Sequence, residues 1–360
     1  MPTPSQPLRV LLLPPIAWQP DRDAYRSGCG PDPFAVVERL ATHGIEALLI
    51  DPGRRPLNPF AGRHSLLEGL DPLRALRTLV RYRNIDLAVA VFEGPALPLE
   101  LLRGVFRWRV PVVLWDIGLT ETWRLRERIL DRVVPRVAGI FVLSANQQPY
   151  IAARWGRRDG VELLGHSVDT DFFAPAPQQP DGPILSIGED AGRDFPCLLD
   201  VAPRIDTDIV IKTTTIPSSR PLPPRVTVQR ERISYPALRD LYARSRFVVV
   251  PLRETLNASG VSSILEAGAM GRALIVSETA AMRDFIVPGE TCLTVPCGDR
   301  AALQAAIQRL VAEPETCARL GENARRFMAA TCAVPVFADR LAGLLRRYAR
   351  PREAGAREMS

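Results

Sequence analysis

The chain has 360 residues, 46 basic and 40 acidic for a formal net charge of +6, with 46% hydrophobic residues and a mean hydropathy of zero. At roughly 150 residues per domain, that length gives two domains with proper cores and excludes a fibrous or tail-dominated protein. No run approaches the ~18 apolar residues of a spanning helix, and the apolar run near the N-terminus is too short for a signal peptide, so a cytoplasmic chain is expected.

Short apolar strands alternate with amphipathic helices from the start. Residues 8–13 read as a strand, 33–42 as a helix stopped by His43-Gly44, and 45–50 as the next strand. A helix over 73–83 carries Leu73, Leu76 and Val80 on one side and Arg74, Arg77 and Arg81 on the other. A strand over 85–91, a helix over 98–106 with Pro98 at its tolerated first position, a strand over 110–114, a helix over 121–134 and a strand over 139–143 complete the first half. Residues 171–183, DFFAPAPQQPDGP, lack periodicity and interrupt the pattern. It resumes with strands at 184–187, 208–212, 226–228, 247–251 and 273–276, helices at 195–202, 235–243 and 261–270, and three closing helices at 299–312, 315–330 and 334–348.

Strands separated by helices imply parallel sheets with right-handed crossovers. The expectation is an α/β protein of two doubly wound, Rossmann-like domains facing a cleft: 1–168, a linker at 169–183, 184–332, a helix at 333–350 packing back on the first domain, and a flexible tail at 351–360.

The positive charge favours an anionic partner, whether nucleic acid, phospholipid or a phosphorylated small molecule. All but one of the 46 basic residues are arginine, the exception being Lys212. Six cysteines without CxxC spacing and three histidines argue against a zinc site. No metal and no resident cofactor are expected.

The most informative stretch is 248–299. A strand ends at Pro251, a polar loop runs to Ser259-Gly260, and a helix begins near Val261 with Glu266 in its second turn. A helix N-terminus exposes unpaired N–H groups and about half a positive charge, a ready anion site that a diphosphate fits, and Gly260 lets backbone approach a ligand. An ionised Glu266 can accept from two sugar hydroxyls. The bland alternative is a capped helix with a solvent-facing glutamate.

These residues, LEAGAMGRALIVS followed by RDFIVPGETCLTVPCGD and LGENARRF, with LLGHSVDTDFFAP and LSIGEDAGRDFPCLLDVA upstream, resemble the C-terminal half of glycosyltransferase family 4, which has the GT-B fold. The resemblance covers roughly 161–327 in order and spacing. It implies a retaining, metal-independent transferase that takes a sugar from a nucleoside-diphosphate donor held by the second domain to a glycan, lipid-linked or small-molecule acceptor held by the first. On it, Glu266 binds the donor ribose, and Arg193 and Lys212 clamp the diphosphate and neutralise charge on the leaving group. Base contacts would come from backbone near 229–234. The family often has a second glutamate eight residues before the first; here that position is Ala258, leaving sugar recognition to Asn257, Ser259 or the N–H groups of Gly260, Val261 and Ser262. A catalytically silent nucleotide-binding subunit and a GT-B epimerase or phosphorylase are the alternatives.

In the first half, Gly28 and Gly30 are candidates to bring N–H groups to the donor phosphate. Asp116, ending a strand, is the candidate to orient or deprotonate the acceptor hydroxyl, the alternative being a helix cap. His166 is an acceptor-side candidate, whereas His43 and His64 read as structural or solvated. The arginines of the 73–83 helix, with Arg103, Arg107 and Arg109, suggest either a solvated face or peripheral contact with an anionic inner membrane. With no recognition module and arginines interleaved with acids, nucleic-acid binding is not expected.

Overall fold

Among the described residues, twelve strands form two all-parallel sheets of six. The computed structural model describes residues 6–31, 34–53, 69–116 and 124–350. His64, the starts of the helices expected from 33 and 121, and the tail expected at 351–360 lie outside them.

The first unit takes in the chain to Asp23, Val36–Leu164 and the chain from Ala338. Its elements are β1 (Leu8–Leu13), α1 (Gln19–Arg26, running beyond the unit), α2 (Phe34–Leu40), β2 (Ile45–Leu49), α3 (Pro72–Arg81), β3 (Leu87–Val91), α4 (Glu93–Leu102), β4 (Val112–Trp115), α5 (Arg124–Val133), β5 (Gly139–Val142), α6 (Gln147–Trp155) and β6 (Val161–Leu163), with sheet order β2-β1-β3-β4-β5-β6. β3 and β5 are buried along their whole length, which is why their sequences, LAVAV and GIFV, are continuously apolar rather than alternating.

The second unit takes in Ala24–Ala35 and Gly165–Phe337. It contains β7 (Ile184–Ile187), α7 (Phe195–Val201), β8 (Ile209–Lys212), β9 (Val226–Gln229), α8 (Tyr235–Arg244), β10 (Val248–Val250), α9 (Val261–Ala269), β11 (Leu274–Glu278), β12 (Leu293–Pro296), α10 (Arg300–Ala312) and α11 (Pro314–Thr331), with sheet order β12-β11-β10-β7-β8-β9. The chain winds outward from β7 to β9, then returns to β10 and winds the other way. The reversal between β7 and β10 is where open α/β sheets place their ligands, outside the carboxyl ends of the strands.

The last helix, α12 (Val334–Tyr348), lays most of its length on the first unit. Arg340 donates to the Leu164 carbonyl (2.7 Å), and Tyr348 meets Phe141 edge-on and donates to Glu162 (2.8 Å). The ring of Tyr348 lies on Gly139, where a Cβ would come within 2.6 Å of it.

Two expectations are corrected. The helix expected from Pro98 is α4, which starts at Glu93 and encloses Pro98; Pro95, in its first turn, is the proline its start tolerates. α3 does not divide into a buried apolar face and an exposed basic one: Arg74 is buried, while Leu73, Leu76 and Val80 are 42%, 38% and 52% exposed and Arg77 and Arg81 are exposed with them. Arg74 turns inward because its guanidinium donates to the carbonyls of Pro14 (2.7 Å), Ile50 (3.2 Å) and Gly69 (2.7 Å). The stretch expected as a linker packs on the second unit. Phe173 is buried edge-on against Tyr242, and Arg272 donates to the carbonyls of Ala176 and Pro177.

Candidate functional site

At the switch point of the second sheet, the loop after β7 and the loop after β10 are stitched together by backbone. Asp194 donates its amide to Pro251 (2.9 Å) and Arg253 donates to Gly192 (2.8 Å). Three glycines make the approach feasible. A Cβ on Gly188 would stand 2.2 Å from Arg193 Nε, and one on Gly192 would stand 2.2 Å from Ser259 Oγ. Gly260 caps α9 with φ +86, and its Cβ would meet Val250 and Leu252 and lie 3.3 Å from Arg193 Nη1.

Arg193 is only 5% exposed. Its Nε donates to Asp190 (2.9 Å) and its Nη2 to Ser263 Oγ (2.7 Å), which in turn donates to the Ile187 carbonyl (3.2 Å). Nη1, beside Gly260, is buried with no hydrogen-bond partner. A buried N–H left unsatisfied costs about 1–3 kcal/mol, and more when it carries charge. Lys212, the last residue of β8 and 8% exposed, places Nζ 3.3 Å from Glu189. Burial pushes the Glu189 carboxyl up, but hydrogen bonds from the hydroxyl and amide of Thr214 and from Lys212 hold it below the usual range.

Glu266, in the second turn of α9, accepts from the buried Tyr242 hydroxyl on α8 (2.8 Å). Burial raises its pKa to about 7, against the opposing pull of Tyr242 and Arg193. His166 also lies in this unit. Its Nδ1 accepts from the Ser167 amide (2.9 Å), so the ring proton falls to Nε2, 3.4 Å from Ser262 Oγ. Burial pushes its pKa down to about 4, leaving it neutral near pH 7. Asn257 and Ser259 belong to the same loop: the Asn257 carbonyl accepts from Thr255 Oγ1 (2.9 Å) and from the Ser259 amide (2.8 Å). Ala258 is buried, and its carbonyl accepts from Val261 (3.2 Å).

Arg193, Lys212, Asn257, Ser259, Gly260, Val261, Ser262 and Glu266 therefore share the carboxyl edge of one sheet, and His166 joins them beside Ser262. Asp116 does not. It follows β4 in the first unit with φ +65, its amide donating to Phe141 (2.9 Å). Gly28 is exposed at φ +73 with open space around it, whereas the buried Gly30 abuts Tyr235, the first residue of α8, at 3.4 Å. Sequence reasoning missed Gly188, Asp190, Gly192, Ser263 and Tyr242; the spacing of the glycines in GEDAG directly after a strand was the available signal. Among the described residues, no group of three His, Cys, Asp or Glu side chains could hold a metal ion.

The family model "Glycosyl transferases group 1" matches residues 212–313. The lipopolysaccharide core biosynthesis mannosyltransferase LpcC of Rhizobium leguminosarum bv. viciae is 34% identical over 296 residues, spanning 67% of this chain and 82% of that protein. Among solved structures, sucrose-phosphate synthase of Thermosynechococcus elongatus superposes with a TM-score of 0.74 at 19% identity, covering 94% of this chain and 98% of that one. HepE of Anabaena, in complex with UDP-glucose, does so at 0.67 and 13% identity, covering 94% and 100%. At such identities the likeness is one of fold.

Proposed function

The chain belongs to the group 1 glycosyltransferases and has their GT-B fold, and from that premise we propose that it moves a sugar, with retention, from a nucleoside-diphosphate donor to an acceptor hydroxyl. The observation that carries the donor reading is the buried guanidinium of Arg193, whose Nη1 is unpartnered beside Gly260 at the N-terminus of α9. Two phosphate groups match what stands there: a fixed arginine, the amides of Gly260, Val261 and Ser262, and the ammonium of Lys212. A diphosphate on Lys212 replaces Glu189 as its counter-charge.

When the glycosidic bond breaks, negative charge grows on the departing diphosphate, and cations already in place stabilise it without reorganisation. No metal is required in this scheme. Glu266 accepts from the ribose hydroxyls, and Asn257, Ser259 and the His166-bonded Ser262 meet the sugar where Ala258 replaces the second glutamate. Gly28 and Gly30 are the candidates to add backbone N–H groups. Asp116 is the candidate to orient or deprotonate the acceptor hydroxyl. LpcC is named a mannosyltransferase of the lipopolysaccharide core, which makes mannosyl donors and glycan or lipid-linked acceptors the first to try.

A thermal-shift screen of UDP, GDP, ADP and TDP identifies the base, and turnover with the matching sugar donors follows. Arg193→Ala should lower kcat by about 10²–10³-fold, the loss typical of one fixed donor to a developing charge. Glu266→Ala should abolish the nucleotide-induced thermal shift. Full donor binding and turnover in both variants would refute the assignment, and inversion at the anomeric carbon, read by NMR of the product, would refute retention.

A further inference from the structure

Tyr242, near the end of α8, is fully buried, with its ring edge-on to Phe173 at 6.2 Å between centroids. A buried phenol needs a partner for its O–H. This one donates to Glu266 Oε2 (2.8 Å). Ser263, one helical turn before Glu266 on α9 and so on the same face, stands against the same phenol, and its hydroxyl accepts from the Arg193 guanidinium. Tyr242 is thereby packed between the groups assigned to the two ends of the nucleotide, Arg193 for the diphosphate and Glu266 for the ribose.

The other carboxylate oxygen, Oε1, accepts no hydrogen bond among the described residues. A glutamate side chain left to itself would turn its carboxyl several ways. With one oxygen pinned by a phenol that its own packing holds still, the second is left free to accept in one orientation. Among the described residues, Arg193 is the one other charged group that bears on either side chain. Of the elements packed around α9, β10 supplies only valines, Glu278 of β11 is exposed, and Arg325 of α11 is bonded to the Thr170 and Ala269 carbonyls. His166, beside Ser262, is neutral near pH 7. Burial and the adjoining carboxylate raise the Tyr242 pKa well above its usual value, so the phenol remains the donor.

Given the donor-binding roles of Glu266 and Arg193, on which this rests, we propose that Tyr242 is a positioning residue for the donor: it holds the Glu266 carboxylate in the orientation that accepts from the ribose hydroxyls, and braces it through Ser263 against the arginine that meets the diphosphate. Because a hydrogen bond donated to the charged form favours that form, the phenol also keeps the carboxyl ionised against its burial.

The test is calorimetry on the full chain and its Tyr242→Phe variant, which keeps the ring and loses the hydroxyl, with UDP, GDP and ADP and the 2′-deoxy form of each. The wild type should prefer the ribonucleotide of its base. Tyr242→Phe should weaken that ribonucleotide by about tenfold at pH 7, the worth of one hydrogen bond to a charged group, and the deoxynucleotide by less. The midpoint of the rise in affinity with pH, expected at about 7 in the wild type, should climb by roughly one pH unit in the variant, since burial then acts on the carboxyl without its opponent. A tyrosine that only fills space would lower the urea midpoint while leaving the ribose preference and the pH midpoint in place. That result, or a variant that no longer folds, would overturn the proposal. A wild type that binds ribo- and deoxynucleotides alike, or neither, would instead refute the ribose reading of Glu266, so the two failures are told apart by the wild type alone.

Discussion

Burying a guanidinium is costly, and Arg193 is buried with one nitrogen on a carboxylate, one on a hydroxyl and one on nothing. Asp190 and Ser263 fix the plane of the group, so the third nitrogen is aimed before any ligand arrives, which is what preorganisation requires. Glu266 is tuned in the other direction. Its carboxyl ionises near 4.5 in an unfolded chain and is held up to about 7 in the native one. Between those values the native state binds more protons, so the stability Glu266 contributes is present below 4.5 and lost as pH rises through about 7. Donor binding runs the opposite way, because only the carboxylate accepts from two hydroxyls. Nucleotide affinity, measured by calorimetry, should rise as pH climbs through about 7, and Glu266→Gln should flatten the rise. His166, neutral throughout that window, should add no slope. Glu266 was a candidate from its place in the second turn of a helix, and Arg193 and Lys212 from the resemblance of their motifs to a known family. Asp190, Ser263 and Tyr242 were not, because their contribution is to hold another side chain, which no linear spacing encodes.

Among elements, the loop after β7 is closely confined by the Arg193 side chain. Gly188 is covered by the Arg193 guanidinium, so Gly188→Ala forces either the loop or the arginine to move. The expected result is a loss of about 1–3 kcal/mol in urea unfolding together with weakened nucleotide binding. Gly104→Ala, which meets nothing within 4 Å, is the control and should do neither. Buried strands and the long closing helices were readable from periodicity. The short edge strands β6 and β12, at three and four residues, carry too few side chains for a pattern to show. α3 misled for a different reason: helical spacing groups side chains into faces but does not say which residues turn inward, and three backbone carbonyls draw Arg74 in beside Ala75, Thr78 and Leu79.

At the scale of the whole molecule, the chain begins and ends its described course in the same unit, with α12 closing over β5 and β6. The first unit thus depends on residues more than 170 positions away in sequence for part of its cover, as the Arg340 to Leu164 and Tyr348 to Glu162 bonds show. Tyr348→Ala should cost about 3 kcal/mol, the loss of a large ring from a packed site, read as a lower midpoint in denaturant. Restoring the ring with Tyr348→Phe should recover most of it, because the remaining loss is a single hydrogen bond to Glu162. Two sheets and a closing helix that packs back on the first domain were readable from the sequence, whereas nothing in its periodicity sets Ala24–Ala35 apart with the second unit.

Lys212 gives the experimenter an unusual handle. As the only lysine in the chain, it would be the sole source of signal in a sample labelled isotopically at lysine alone, and its spectrum would consist of a single side chain. Because that ammonium leans on Glu189 at the edge of the second sheet, one resonance would follow titration with each candidate nucleotide in turn, with no assignment problem to solve first.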